Sequence, residues 1–318
     1  MPPRSRHSHE EPEPTPSLRI LPSSLIEEMI EKSLSNQEGL SLIRIGDGEG
    51  VTIAKPLLTE SVLGDYIASH FGQISQQDLD RLATLTKQSC LNASIVGVRP
   101  DIIGGDFHER WLKLKPNDLI NKVKEVFQLR PAEKERLGYE AALRLAILGL
   151  EMRKDLIPAT TPLASAWCHY DMSASGFLAR MIVSQKSVGI ISRHTELHNL
   201  LSAHDIKTDF YEVPSRYNRR GEGWKQHYPA RFNEILDSLR IRFNGQLFLV
   251  GAGICGKTYC NRIAELGGIG LDVGSVLDGW LGLNTRPLVM QSKFGADMLP
   301  KELTLAYQLE RLTKLDEQ

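Results

Sequence analysis

QLFLVGAGICGKTYCNRIAELGGIGLDV, residues 246–273, decides the fold. Gln246 to Val250 is a short apolar run of strand length. A glycine-punctuated turn follows, Gly251-Ala-Gly253-Ile-Cys-Gly256-Lys257-Thr258. An amphipathic stretch then predicts a helix to Leu266, and Ile269 to Val273 predicts the next strand. Strand, turn, helix, strand is a βαβ unit, in which the helix carries the chain back to a parallel strand.

The same alternation runs outward from this unit. Leu40–Ile45, Ser94–Val98, Ser187–Ile191 and Asp209–Val213 predict further strands. Helices are expected near Leu57–His70, Asp78–Leu91, Pro131–Arg153, Thr195–Ala203, Tyr228–Leu239 and Pro300–Leu315. Ser24 and Glu27 have capping-box spacing, which predicts a helix from there to about Ser33. The expectation is an α/β fold with a mostly parallel sheet flanked by helices, forming a single domain over residues 18–318. Residues 1–17 are proline-rich and almost without apolar side chains, so a disordered tail is expected there.

Composition narrows the function classes. The chain has 318 residues, with 38 Lys and Arg against 39 Asp and Glu, for a formal net charge of -1. Such a balance argues against nucleic-acid binding through bulk charge. No apolar run approaches bilayer length; the most apolar stretch, Ala141 to Leu150, is short and contains Arg144. The N-terminus has no apolar leader-like segment. The cysteines, Cys90, Cys168, Cys255 and Cys260, form no CxxC pair, so reduced buried thiols and a cytoplasmic location are expected.

In parallel sheets, ligands bind beyond the carboxyl ends of the strands. The residues that follow the predicted strands are acids, arginines and glycines. Arg44-Ile-Gly46-Asp47-Gly-Glu49 places two carboxylates at i and i+2 between glycines. Such a pair suits Mg²⁺ or Mn²⁺ shared with ligand phosphates, which Arg44 could also reach. An acidic turn that uses its glycines only for backbone conformation is the competing reading. The Gly251–Thr258 turn fits both the dinucleotide pattern G-x-G-x-x-G, with Asp272 about twenty residues on, and the phosphate-loop pattern G-x-x-x-x-G-K-T. Only 60 residues follow Thr258 (318 − 258), so neither pattern has its usual downstream partners.

Asp272 and Asp278 lie where a general base or a sugar-orienting acid would sit; a helix cap at Ser275 is the alternative. Arg193 and Arg216 follow two other strands. His169, beside Tyr170 and Asp171, fits a satisfied core histidine better than a ligand.

Taken together, Ile43–Glu49 and the late segments Leu249–Tyr259 and Leu271–Ser275 resemble the GT-D-type glycosyltransferases. That resemblance implies a Rossmann-like fold, a nucleoside-diphosphate sugar donor (a UDP-sugar is favoured) and a glycan or glycoconjugate acceptor. It implies Mn²⁺ or Mg²⁺ held by Asp47 and Glu49, with Arg44, Gly46, Arg193, Arg216, Gly251 and Gly253 around the donor. Asp272 or Asp278 would serve the acceptor. Ser275 stands where better-known members carry histidine. The alternatives are an ATP- or GTP-dependent phosphotransferase using Lys257, or a nucleotide-binding module without catalysis.

Overall fold

The structure is a computed structural model, and it describes residues 19–53, 67–100, 156–216, 221–222, 224–286 and 301–316. The expected tail 1–17 and the expected helix Pro131–Arg153 lie outside these residues, as does most of the one expected near Leu57–His70.

In chain order the elements are β1 (Ile20–Leu21), α1 (Ser23–Asn36), β2 (Leu40–Arg44), α2 (Asp47–Ile53), α3 (Gln76–Asn92), β3 (Ile95–Val98) and β4 (Leu163–Ser165). Next come α4 (Cys168–Ala174), α5 (Phe177–Val183), β5 (Val188–Ser192), α6 (Thr195–Ala203), β6 (Thr208–Glu212) and α7 (Phe232–Ser238). The last are β7 (Leu247–Val250), α8 (Gly256–Glu265), β8 (Ile269–Asp272), α9 (Val276–Trp280) and α10 (Leu305–Asp316). The eight strands form one sheet in the order β1-β4-β3-β2-β8-β7-β5-β6. Every pairing in it is parallel. This is a Rossmann-like α/β architecture.

Both faces of the sheet are covered, as a parallel sheet requires. Side chains alternate between faces along each strand. Ile43, Val96, Ile191, Phe248 and Val250 enter one core with Leu79 and Leu82 of α3, Ile235 of α7 and Ile263 of α8. Leu42, Ile95, Ile190, Leu247, Leu249 and Leu271 enter the other with Ile26 and Ile30 of α1, Leu178 of α5 and Leu309 of α10. The apolar runs of β2, β3, β5, β7 and β8 are therefore buried on both sides, while β6, at the sheet edge, is half-buried.

Local signals account for most element ends. Ser75 caps α3, with Oγ accepting from the Asp78 backbone N–H at 3.1 Å and donating to its carboxylate at 2.7 Å. The expected capping box at Ser24 does not form: α1 begins a residue earlier, at Ser23, and has no side-chain cap. Ser23 instead donates to Asp171 of α4 at 2.8 Å. The helix expected from Tyr228 is regular only from Phe232. Tyr228 is extended (φ -113, ψ 135), because a residue before proline is disfavoured in the helical region.

That turn buries His227 against Tyr259, whose hydroxyl lies 3.1 Å from Nε2. Burial, assisted by Arg231, lowers its pKa to about 4 from the ordinary 6.5. The unfolded chain therefore binds more protons than the folded one between these two values, so stability rises with pH across that window. Wild type is expected to lose about 3 kcal/mol as pH falls from 6.5 to 4 through this group. Urea titrations of wild type and His227→Gln across that range would check it. An unchanged pH slope in the variant would refute the assignment.

Candidate active site

The loops after β2, β5, β7 and β8 meet at the carboxyl edge of the sheet. β2 and β8 are neighbours, with Leu42 opposite Leu271, so the ends of an early and a late strand lie side by side. Arg44 and Asp272, separated by 228 positions, join there.

The Arg44 guanidinium spans the two strand ends. Nε donates to the Asp272 carbonyl at 2.7 Å, and Nη2 to Asp272 Oδ1 at 3.0 Å. Nη1 donates to the Ala166 carbonyl at 3.2 Å and lies 2.8 Å from His169 Nε2. Two glycines leave room for it. A Cβ on Gly97 would lie 2.9 Å from Arg44 Cγ. Gly274, at φ +48, would put a Cβ 2.2 Å from Nη2, so both its backbone conformation and its missing side chain are required.

Lys257, in the first turn of α8, lies beside this pair. Its ammonium contacts Glu49 Oε1 at 2.6 Å and Asp272 Oδ2 at 2.9 Å. It also donates to the Gly253 carbonyl at 3.1 Å. An ammonium has three N–H donors, and all three are used. Glu49 Oε2 accepts from the Gly46 backbone N–H at 2.7 Å. Glu49 is 5% exposed, Lys257 4% and Asp272 1%. Two cations and two carboxylates therefore form a dry, charge-balanced cluster.

Burial alone would push each charged form toward neutrality, but the opposite charges outweigh it. The Asp272 pKa stays below the usual aspartate value because burial is overcome by Arg44 and Lys257. Lys257 is likewise raised, burial being overcome by Asp272 and Glu49. Arg44 is raised in the same way by Asp272.

A second group sits at the ends of β5 and β8. His194 Nε2 lies 2.5 Å from Asp278 Oδ1, and Arg193 Nη2 donates to the same oxygen at 3.1 Å. Thr285 Oγ1 donates to Asp278 Oδ2 at 2.7 Å. Burial raises the Asp278 pKa, but the bonds from His194, Thr285 and Arg193 bring it down to about 2. Ser275, at the start of α9, does not cap that helix with its side chain. Its hydroxyl pairs with Tyr170 Oη at 2.6 Å.

The structure thus brings together Arg44, Gly46, Glu49, Gly253 and Asp272, and separately Arg193 and Asp278. Gly251 packs under α9, where a Cβ would meet Leu277 Cδ1 at 2.7 Å. Arg216 is exposed beyond β6. Asp47 opens α2.

Asp272 has both carboxylate oxygens engaged by cations inside the protein. Asp278, its pKa lowered to about 2, is ionised at neutral pH and lies against His194. Sequence reasoning places His194 after its strand without giving it a role, and leaves out Thr285 and the partners of Lys257. The one usable signal was His194 following Arg193 directly at a strand end.

The surroundings of Glu49 bear on the expected metal site. Among the described residues, no group of three or more His, Cys, Asp or Glu is arranged to hold a metal ion. Glu49 already serves the Lys257 ammonium on one oxygen and a backbone N–H on the other. A dication added to this balanced, buried cluster would be uncompensated. The Glu49 carboxylate as seated does not fit a divalent metal. No helix among the described residues is long and apolar enough to cross a membrane.

No family model matches the chain, and no curated protein matches it. Among solved structures, the chain is similar to a protein described as a new glycosyltransferase (DUF1792) from Streptococcus sanguinis. The identity is 16%, covering 88% of this chain and 86% of that one, with a TM-score of 0.48. It is also similar to a selenomethionine-substituted structure of domain of unknown function 1792. There the identity is 15%, covering 90% and 85%, with a TM-score of 0.48. At this level neither assigns a role to any residue here.

Proposed function

We propose that the chain is a glycosyltransferase that binds a nucleoside-diphosphate sugar, with a UDP-sugar favoured, and transfers the sugar to an acceptor hydroxyl. The observation that carries this reading is the His194–Asp278 pair set beside Arg193 at the carboxyl edge of the parallel sheet, where the Gly251–Gly253 turn also lies. Transfer to a hydroxyl needs a base for the acceptor proton and positive charge for the leaving diphosphate. His194 supplies the first. Its Nε2 lies against Asp278 Oδ1 and beside Arg193 Nε at 3.2 Å, and the Asp278 carboxylate stabilises the imidazolium that forms. Arg193 and Arg216 supply positive charge at the strand ends.

Lys257 argues against the phosphotransferase alternative. A phosphate-loop lysine must extend its ammonium to the β- and γ-phosphates. Here all three N–H groups of Lys257 point at Glu49, Asp272 and the Gly253 carbonyl.

A thermal-shift panel tests the reading. UDP, GDP, dTDP and their sugars are compared with ATP and NAD, because a ligand that prefers the folded state raises Tm. At a hundred times Kd, the stabilisation is about 3 kcal/mol. One nucleoside diphosphate and its sugar are expected to stabilise the protein. Stabilisation by ATP or NAD alone would overturn the proposal.

A further inference from the structure

A carboxylate pair after β2 invites a divalent cation, yet this site already contains a cation of its own. We propose that Lys257 is the resident cation of the site, so that Glu49 serves an ammonium in place of a divalent metal. Three observations meet here. Lys257 Nζ lies between Glu49 Oε1 at 2.6 Å and Asp272 Oδ2 at 2.9 Å, the position a bridging cation would take. Its third donor is used by the Gly253 carbonyl at 3.1 Å, so the ammonium is fully coordinated by oxygen. Arg44 balances the remaining charge on Asp272, which leaves the cluster no net negative charge to attract a dication.

The arrangement also ties loops together. Glu49 belongs to α2 after β2, Lys257 to α8 after β7, and Asp272 ends β8. One ammonium therefore ties three segments together at the carboxyl edge of the sheet. A metal bound at Glu49 would have to expel Lys257 from a site where it is 4% exposed. Expulsion would break its contacts with Glu49, Asp272 and the Gly253 carbonyl together.

Mn²⁺ binding, followed by electron paramagnetic resonance on the purified full chain, tests this directly. The wild type is expected either to bind no Mn²⁺ or to bind it with an affinity that Glu49→Gln leaves unchanged. Lys257→Ala frees Glu49 and Asp272, and it is expected to bind Mn²⁺ at least about tenfold more tightly than wild type. Adding Glu49→Gln to Lys257→Ala is expected to remove that gain. Tenfold weaker Mn²⁺ binding in a folded Glu49→Gln than in wild type would overturn the proposal. So would a Lys257→Ala protein that binds Mn²⁺ no more tightly than wild type. If Lys257→Ala does not fold, the wild-type and Glu49→Gln comparison still decides.

One consequence rests on the glycosyltransferase reading: donor turnover is expected to persist in excess chelator. Absence of turnover with every nucleotide sugar would count against that reading alone, because the Mn²⁺ comparison does not depend on it.

Discussion

Arg44→Ala is expected to be the most destabilising single change in the site, lowering unfolding free energy by about 3–5 kcal/mol. The substitution removes one partner of a buried ion pair. Asp272, 1% exposed, would keep Lys257 but lose the cation on Oδ1. The cluster would then carry two carboxylates against one ammonium. The carbonyls of Asp272 and Ala166 would also lose a donor, and an unsatisfied buried acceptor costs about 1–3 kcal/mol. Arg44→Lys restores the charge but not the planar fork that reaches Asp272 Oδ1, the Asp272 carbonyl and the Ala166 carbonyl together. It is expected to recover less than half of the loss. Urea titration checks this, with the midpoint moving and the m-value unchanged. A loss under about 1 kcal/mol in Arg44→Ala, the range of an exposed pair, would show that the cluster is not dry.

The same cluster shows where sequence reading succeeds and where it stops. The strands that carry Arg44 and Asp272 were legible because each is a short apolar run followed by glycine. Their adjacency was not, because β8 inserts beside β2 from the far end of the chain. Spacing within a motif paired Glu49 with Asp47, and Lys257 with the phosphate-loop glycines. The fold pairs Glu49 with Lys257 across motifs. A local pattern reports which chemistry is present, whereas the partner of a charged side chain is set by strand order.

The elements that escaped notice are those whose signal is short. β1 has two residues and β4 three, too few for any alternation to show. α4 and α5 have seven residues each and are buried on most sides, so neither presents an amphipathic stripe. They are held by specific contacts instead. Trp280 Nε1 donates to Ser173 Oγ at 2.9 Å, and Gln308 Nε2 to the Ser173 carbonyl at 2.9 Å. These bonds dock α9 and α10 onto α4. They also position the helix that presents Asp278.

Asp278→Asn is expected to produce the largest loss of turnover, a fall in kcat on the order of 10²–10⁴-fold. Asp278 Oδ1 lies 2.5 Å from His194 Nε2 and accepts from Arg193, and Oδ2 accepts from Thr285. An asparagine is nearly isosteric, so the fold around α9 should persist. The substitution removes the negative charge that stabilises the imidazolium. His194→Ala should fall by a similar factor, and the double variant should lose little more, because residues that act as one unit are not additive. Donor affinity separates this role from a structural one. The Tm rise with the nucleoside diphosphate should be unchanged in Asp278→Asn while kcat collapses. Equal losses in donor binding and in kcat would instead place Asp278 in the donor pocket. The acid limb of stability gives an independent check. The Asp278 pKa is lowered to about 2, so its contribution is present above the unfolded value near 4 and is lost as pH falls through 2. The substitution should therefore cost stability at neutral pH, and that cost should shrink as pH falls from about 4 through 2.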